Sequence, residues 1–333
     1  MEQNIYNSEE LFKQNKISAN NLLQNNIHPE IDFHIHSNNS DGIFSIAEIA
    51  EMAFEANINH IAITDHNTIL NSYKELLQLN KKIPNSLSIH IGTEVACKFK
   101  DPYTNKNIPI EILCFNVNPF KMQEFLDRYD FAKKDSQEDD MQFLLSICQK
   151  EDLKYTPTIK VKDGFFATET LCRDLITYPE NKSYFDRYYP EVFTSPKLFF
   201  KKFCANPKSS FYFDKTTNLP TINELCDFVK SLNGLCILAH PGLYIYKTDT
   251  EILTFLEEVL KTTPNINGVE AFHTNHTLTQ RKLIYNFCQN HNLIFSGGSD
   301  FHTGPYSIIG FGRLHSPIEL KLSDFPWITN LKY

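Results

Sequence analysis

Apolar and polar residues alternate through Ile31-Asp32-Phe33-His34-Ile35-His36, and a period of two predicts a strand. Ile31, Phe33 and Ile35 fall on one face, with Asp32, His34 and His36 on the other. The period then changes. Ser45 precedes Ile46, Ile49, Ala50, Ala53 and Phe54, a spacing near 3.6 that predicts a helix capped by the serine. A second strand, His60-Ile61-Ala62-Ile63-Thr64, ends at Asp65-His66 and completes a parallel βαβ unit. A helix over 70–79 leads to a third strand over 87–96, carrying Glu94. A turn at Asp101-Pro102 leads to a fourth over 108–115, carrying Glu111.

The alternation stops near Pro119. Up to Leu219 the chain is helical in pattern, charged and aromatic, with pairs such as Tyr184-Phe185 and Phe199-Phe200, which reads as an insertion. The α/β pattern resumes with a helix over 222–231 and a strand over 235–239 that delivers His240-Pro241-Gly242. A strand over 268–272 carries Glu270, and Leu293-Ile294-Phe295-Ser296 runs into Gly297-Gly298-Ser299-Asp300-Phe301-His302. Residues 1–30 are rich in Asn and Gln, with Ser8 before Glu9 and Glu10 as a helix start. The expected division is an accessory extension over 1–30, a first part of the α/β body over 31–118, a helical insertion over 119–219 and a second part over 220–333.

Composition narrows the function classes. A chain of 333 residues that is 41% hydrophobic and 22% charged can bury a large core. The net charge of -8 argues against a long DNA or RNA track but leaves room for a nucleotide held through cations. The eight cysteines are scattered, mostly in apolar runs, and read as buried thiols in a reducing compartment. No signal-peptide pattern precedes the first strand, and no run approaches the roughly 18 apolar residues of a membrane span. The expected location is cytoplasmic, with no membrane partner.

The candidate chemistry lies at the strand ends. His34, His36, His66, Glu94, Glu111, His240, Asp300 and His302 all fall at or near C-terminal ends of predicted strands, with Asp41 just past the first. In parallel α/β folds that edge is where sites are built. Taken singly, each has an ordinary role as cap, turn or surface residue. Together they predict a metal site. His273 and His276, after the strand carrying Glu270, are placed at its rim, and His276 is a candidate substrate contact.

These motifs resemble the polymerase and histidinol phosphatase (PHP) family of metal-dependent phosphoesterases. The matching stretches are Asp32-Phe-His-Ile-His-Ser with Ser40-Asp41-Gly42, Ile63-Thr-Asp-His66-Asn-Thr, Gly92-Thr-Glu94, Leu238-Ala-His240-Pro-Gly, and Gly297-Gly-Ser-Asp300-Phe-His302. The similarity is greatest to the branch of nucleotide 3′,5′-bisphosphate phosphatases and 5′-3′ exoribonucleases, which carry a helical insertion before the Ala-His-Pro motif. The resemblance implies an α/β fold, a distorted (β/α)7 barrel, with two to three divalent metal ions. Manganese is the first choice, and zinc, iron and magnesium are alternatives. It implies that His34, His36, Glu94 and Asp300 hold one ion, that Glu94 bridges to a second on His240, and that Asp41, His66 and His302 hold a third. A metal-bridging hydroxide would then attack the phosphate of a small nucleotide-like substrate or a short RNA 5′ end. Asp300 would act as a ligand, and His302 or His240 would assist proton transfer.

The chain departs from the family pattern twice. Glu111 stands where relatives place a histidine ligand of the second ion, adding charge and a harder oxygen. In the insertion, Thr168 and Thr170 occupy the places of an Arg-x-His pair, and Arg173, one turn on, is the candidate phosphate contact. Lys197, Lys201 and Lys202 read as a solvated helix face. The rival readings are a histidinol or sugar phosphate phosphatase, a non-catalytic metal-bound regulatory protein, and hydrolysis of a non-phosphate substrate.

Overall fold

The computed structural model describes residues 30–79, 83, 86–129, 137–162, 165–196, 198–214, 216–303 and 322–331. The N-terminal extension short of Glu30, and also Lys197 and His315, lie outside the described residues.

The chain forms an α/β fold with two sheets. Strands β1 (Ile31–Ile35), β2 (His60–Ile63) and β3 (Ser88–Ile91) pair in parallel in that order. Helices α1 (Ile46–Glu55) and α2 (Leu70–Leu79) make the crossovers. The second sheet has the order β4 (Thr93–Lys100), β5 (Asn107–Phe115), β6 (Leu235–Leu238), β7 (Gly268–His273) and β8 (Ile294–Gly298). Here β5 runs antiparallel to both β4 and β6, while β6, β7 and β8 are parallel.

The strand expected over 87–96 is divided at Gly92. Its amide donates to Ile63 in the first sheet, and a Cβ at this position would lie 2.7 Å from the Cys114 carbonyl of the second. The backbone crosses between sheets where there is no room for a side chain, so β3 and β4 are separate strands. The ladders do not close into one sheet among the described residues. The two sheets meet instead through single bridges, Ile35 with Phe301 and His66 with Glu94.

Side chains complete the enclosure that the ladders leave open. Ile31, Phe33 and Ala62 from the first sheet pack with Leu113, Phe115, Ile237 and Ala239 from the second, around Phe325 and Trp327. Trp327 Nε1 donates to the Phe295 carbonyl at 3.1 Å, which satisfies the one polar atom of the plug. The expected strict alternation in β1 is broken. Pairing advances from Asp32 to Ile35 on β1 while it advances from Ile61 to Ile63 on β2. One extra residue turns Ile35 to the helix-side core, whereas Ile31 and Phe33 stay in the interior.

Capping boxes start four of the helices. Ser45 and Glu48 cap α1, and equivalent pairs cap α8 (Ile222–Ser231), α9 (Asp249–Thr262) and α10 (Leu278–Asn290). Between β5 and β6 lie α3 (Pro119–Leu126), α4 (Gln137–Lys150), α5 (Ala167–Leu175), α6 (Lys182–Tyr188) and α7 (Glu191–Thr194), then a π-helical turn over Phe200–Cys204. Leu144, Leu171, Phe185, Phe199, Phe203 and Phe211 form a core of their own in this segment. No helix among the described residues is long and apolar enough to cross a membrane.

Candidate metal centre

Asp65 builds the first wall of the site. It is fully buried, and its carboxylate accepts hydrogen bonds from Ser37 N at 2.7 Å and from the hydroxyls of Ser37, Ser40 and Ser72. These bonds fold residues 37–42 back over the end of β1 and carry Asp41 to the histidines. Asp65 is therefore an organiser of the loop, and its neighbour His66 points into the site. On the far side, β8 comes against β1 so closely that a Cβ on Gly298 would lie 2.4 Å from His34 Cβ. Asp300 follows in a left-handed conformation (φ 55°), its amide donating to the His34 carbonyl. His240 also has a positive φ, 28°. Strained backbone at two strand ends that deliver polar side chains is a common signature of a working site.

The side chains converge on Glu94. His34 Nε2 lies 3.1 Å from His36 Nε2, 3.2 Å from Glu94 Oε2 and 3.6 Å from Asp300 Oδ1. His36 Nε2 is 3.3 Å from both carboxylates, and His66 Nδ1 is 3.3 Å from Glu94 Oε2. Asp41 Oδ1 stands 3.2 Å from His302 Nε2 and Oδ2 stands 3.9 Å from His66 Nε2. His240 Nε2 faces Glu94 Oε1 at 2.9 Å and Glu111 Oε2 at 3.3 Å. All nine residues singled out as ligands from the sequence are thus brought together. Four sets among the described residues have the spacing of a cation site: His34, His36, Glu94 and Asp300; His36, Asp41, His66 and His302; His34, Glu270 and His273; and His66, Glu94 and Glu111.

Glu270, outside the quoted motifs, sets a ligand tautomer. Glu270, fully buried on β7, faces His34 Nδ1 at 3.0 Å through Oε1 and accepts from His240 N at 2.8 Å through Oε2. A proton on His34 Nδ1 leaves Nε2 with its lone pair aimed at the cluster. His302 is arranged alike, with Nδ1 against the Asp300 carbonyl at 2.9 Å. His273 is the reverse. Its Nδ1 accepts from Asn275 N at 3.0 Å, so its proton sits on Nε2, 3.4 Å from Asp300 Oδ2. That tautomer orients Asp300 and is not free to bind an ion.

The electrostatics fit divalent cations. Burial opposes the charge of Glu94, yet His34, His66 and His240 hold its carboxyl well below the usual range. Asp300 is likewise held low, against burial, by His302 and His34. His36 is pushed up to about 10, because the Asp300 and Glu94 carboxylates beside it outweigh its burial. The pocket therefore retains positive charge, as protons or as metal. Glu94 Oε2 is buried with no hydrogen-bond donor while three imidazole nitrogens crowd it. A buried carboxylate oxygen without a donor costs about 1–3 kcal/mol, a cost that a bound cation removes. Imidazole and carboxylate together suit Mn, Fe or Zn.

Two expectations are corrected, and a third residue, Arg173, has its contacts apart from the cluster: its guanidinium pairs with Glu169 at 2.6 Å and lies over the Phe165 ring. His276 is no rim residue. It is buried, with Nδ1 against the Ala271 carbonyl and Nε2 accepting from Gly242 N, both at 3.1 Å, so both ring nitrogens are spent on holding the turn after His240. Lys201 and Lys202 are not a solvated face. The π turn points them into the body, Lys201 Nζ to Glu111 Oε2 at 3.1 Å and Lys202 Nζ to the Tyr244 carbonyl at 2.7 Å. Burial lowers Lys202 to about 8.

Carboxylates and imidazoles converging where strand ends meet in an α/β enclosure define a candidate divalent-metal protein. The PHP domain profile matches residues 32–191, from Asp32 through Glu111 into the inserted helices. PHP domains are a metal-dependent phosphoesterase family. His240, Asp300 and His302 lie beyond the matched stretch and are joined to it by the fold. The chain is similar to a Haemophilus influenzae protein named 5′-3′ exoribonuclease, 23% identical over 279 residues, 81% of this chain and 89% of that one. It is similar to an Eggerthella lenta phosphoribosyl 1,2-cyclic phosphate 1,2-diphosphodiesterase, 20% identical over 284 residues, 81% of this chain and 93% of that one. Its fold resembles that of an amidohydrolase from Chromobacterium violaceum solved with bound sulfate and no metal, with a TM-score of 0.60, 20% identity, and coverage of 91% of this chain and 96% of that chain.

Proposed function

We propose that the protein hydrolyses a phosphate ester carried on the ribose of a small nucleotide-like substrate. In this reading the two sheets form the wall of a distorted (β/α)7 barrel, and the site lies at its C-terminal mouth. The observation that carries the proposal is the crowding of three imidazole nitrogens around a donorless, buried Glu94 Oε2. His34, His36, Glu94 and Asp300 would hold one divalent ion, and Asp41, His66 and His302, with His36 alongside, would hold another. Bound there, such ions supply Lewis acidity that neutralises phosphate oxygens and makes water acidic enough to ionise near neutral pH.

The chain's own groups do the rest. Glu270 and the Asp300 carbonyl fix the tautomers of His34 and His302, so that these lone pairs are in place before substrate arrives. Asp300 is steadied by His273. His302 and His66 are partly exposed, whereas His34, His36 and His240 are buried, so the first two form the face that a phosphate meets. We assign to His302 the holding of an ion beside Asp41, and to His240 the holding of Glu94. The activities named for the two relatives, an exoribonuclease and a phosphoribosyl cyclic phosphodiesterase, share a ribose-borne phosphodiester, which favours that class.

The test is hydrolysis with manganese present, read as released phosphate from adenosine 3′,5′-bisphosphate, AMP and histidinol phosphate, as ring opening of a ribose 1,2-cyclic phosphate, and as released mononucleotides from a 5′-phosphorylated RNA oligomer. Asp300→Asn serves as the blank. Turnover of a ribose-borne ester that is absent from the variant supports the proposal. Base-independent turnover led by histidinol phosphate, or no turnover with Mn, Zn, Mg or Fe, overturns it.

A further inference from the structure

Glu111 already has a cation. Lys201 Nζ stands 3.1 Å from its Oε2, and the lysine side chain is 29% exposed. The same oxygen faces His240 Nε2 at 3.3 Å, and that nitrogen faces Glu94 at 2.9 Å. An ion bridging Glu94, His240 and Glu111 would therefore be set against a fixed ammonium. The clusters around His34 and around Asp41 are built from histidines, aspartates and glutamate, with no lysine or arginine among their ion pairs within the described residues.

The surroundings keep the ammonium there. Two consecutive lysines on an ordinary helix point about 100° apart. The π turn over Phe200–Cys204 brings both amines onto the loop after β6 and onto β5, Lys202 gripping the Tyr244 carbonyl at 2.7 Å. The Tyr244 hydroxyl in turn accepts from Glu111 N at 2.8 Å. Glu111 is thus held at its backbone by Tyr244 and at its carboxylate by Lys201. Single π turns recur at functional positions because they re-aim a side chain that regular geometry would send elsewhere.

We propose that Lys201 takes the place of a divalent ion at this corner of the centre. The chain then holds two ions, Glu111 is the partner of the lysine and not a metal ligand, and the third positive charge facing a substrate phosphate is an ammonium delivered by the inserted helical segment. A lysine in that role is a point charge for a phosphate oxygen. The inference rests on the metal-centre reading above.

Metal counting tests it without substrate. Protein saturated with Mn and freed of excess is counted for metal per chain, and folding is checked by thermal melting. Two ions per wild-type chain are expected, with two retained in Glu111→Gln and in Lys201→Arg. Lys201→Ala frees the Glu111 carboxylate, and a third ion is expected. Where Lys201→Ala does not fold, the wild-type and Glu111→Gln counts decide. Three ions per wild-type chain, the loss of one on Glu111→Gln, or a folded Lys201→Ala that stays at two would overturn the inference alone. A wild-type chain that takes up no ion would overturn the metal-centre reading together with it.

Discussion

Glu270→Gln removes a single charge and almost no volume, and it should cripple metal binding from a residue that is not itself placed as a ligand. Two donors face the native carboxylate, the His240 amide at 2.8 Å and His34 Nδ1 at 3.0 Å. Glutamine has one acceptor oxygen and one amino group. If the oxygen takes the His240 amide, the amino group faces His34 Nδ1, which must then become an acceptor. The imidazole proton moves to Nε2, the atom 3.2 Å from Glu94 and 3.6 Å from Asp300, and its lone pair is lost to a metal. If the oxygen takes His34 instead, the His240 amide is left buried opposite a donor. Either arrangement costs about 1–3 kcal/mol in fold stability. Loss of a partner that orients a ligating histidine typically weakens metal binding about 10–100-fold, or about 1.4–2.8 kcal/mol. Competition for Mn against a fluorescent chelator measures the affinity, and urea unfolding of the metal-free protein measures the stability. Affinity within about threefold of wild type in a folded variant would refute the tautomer argument.

The other predictions concern the walls, the pH response and a residue expected to be silent. Asp65→Asn cannot accept all of the bonds from Ser37, Ser40 and Ser72. It should cost about 2–4 kcal/mol by denaturant unfolding and loosen the ion assigned to Asp41 before the one assigned to Asp300. Gly298→Ala places a methyl 2.4 Å from His34 Cβ, so β8 and β1 must part; a loss of about 1–3 kcal/mol and weaker Mn binding are expected. His36 is raised to about 10, so in the metal-free protein its contribution to stability is full below its unfolded value near 6.5 and fades as pH rises through about 10. Mn binding must displace that proton, so titration calorimetry in buffers of differing ionisation enthalpy at pH 8 should show proton release and rising affinity with pH. Arg173→Ala removes a partly exposed pair with Glu169 and a contact over the Phe165 ring, and it should shift stability by about 1 kcal/mol or less and leave turnover unchanged.

The convergence of the candidate ligands was legible because strand ends are legible. Alternation located β1 and the apolar runs located β2, β6 and β8, and each run breaks into His, Asp or Glu at the edge where α/β folds build sites. Long-range supports were harder to see. Glu270 stands in Gly268-Val269-Glu270-Ala271-Phe272, and a carboxylate in so apolar a strand must be paired if buried. That signal was present, but its partners lie on β1 and after β6, distances that no local pattern reports. Lys201 was misread because helical periodicity assumes regular turns, and a π turn changes where the side chain points. His276 was misread because a rim histidine and a histidine bonded at both ring nitrogens look alike in sequence. The division of the third strand at Gly92 depends on crowding by Cys114, a contact between sheets that local spacing does not encode.

The central claim is that the His34 and Asp41 clusters are metal sites. Crystals grown with manganese, with diffraction recorded on both sides of its absorption edge, test that claim most directly. The account predicts anomalous peaks among His34, His36, Glu94 and Asp300 and among Asp41, His66 and His302, with Lys201 still against Glu111. An absence of peaks at saturating manganese, or peaks confined to other parts of the chain, would contradict it.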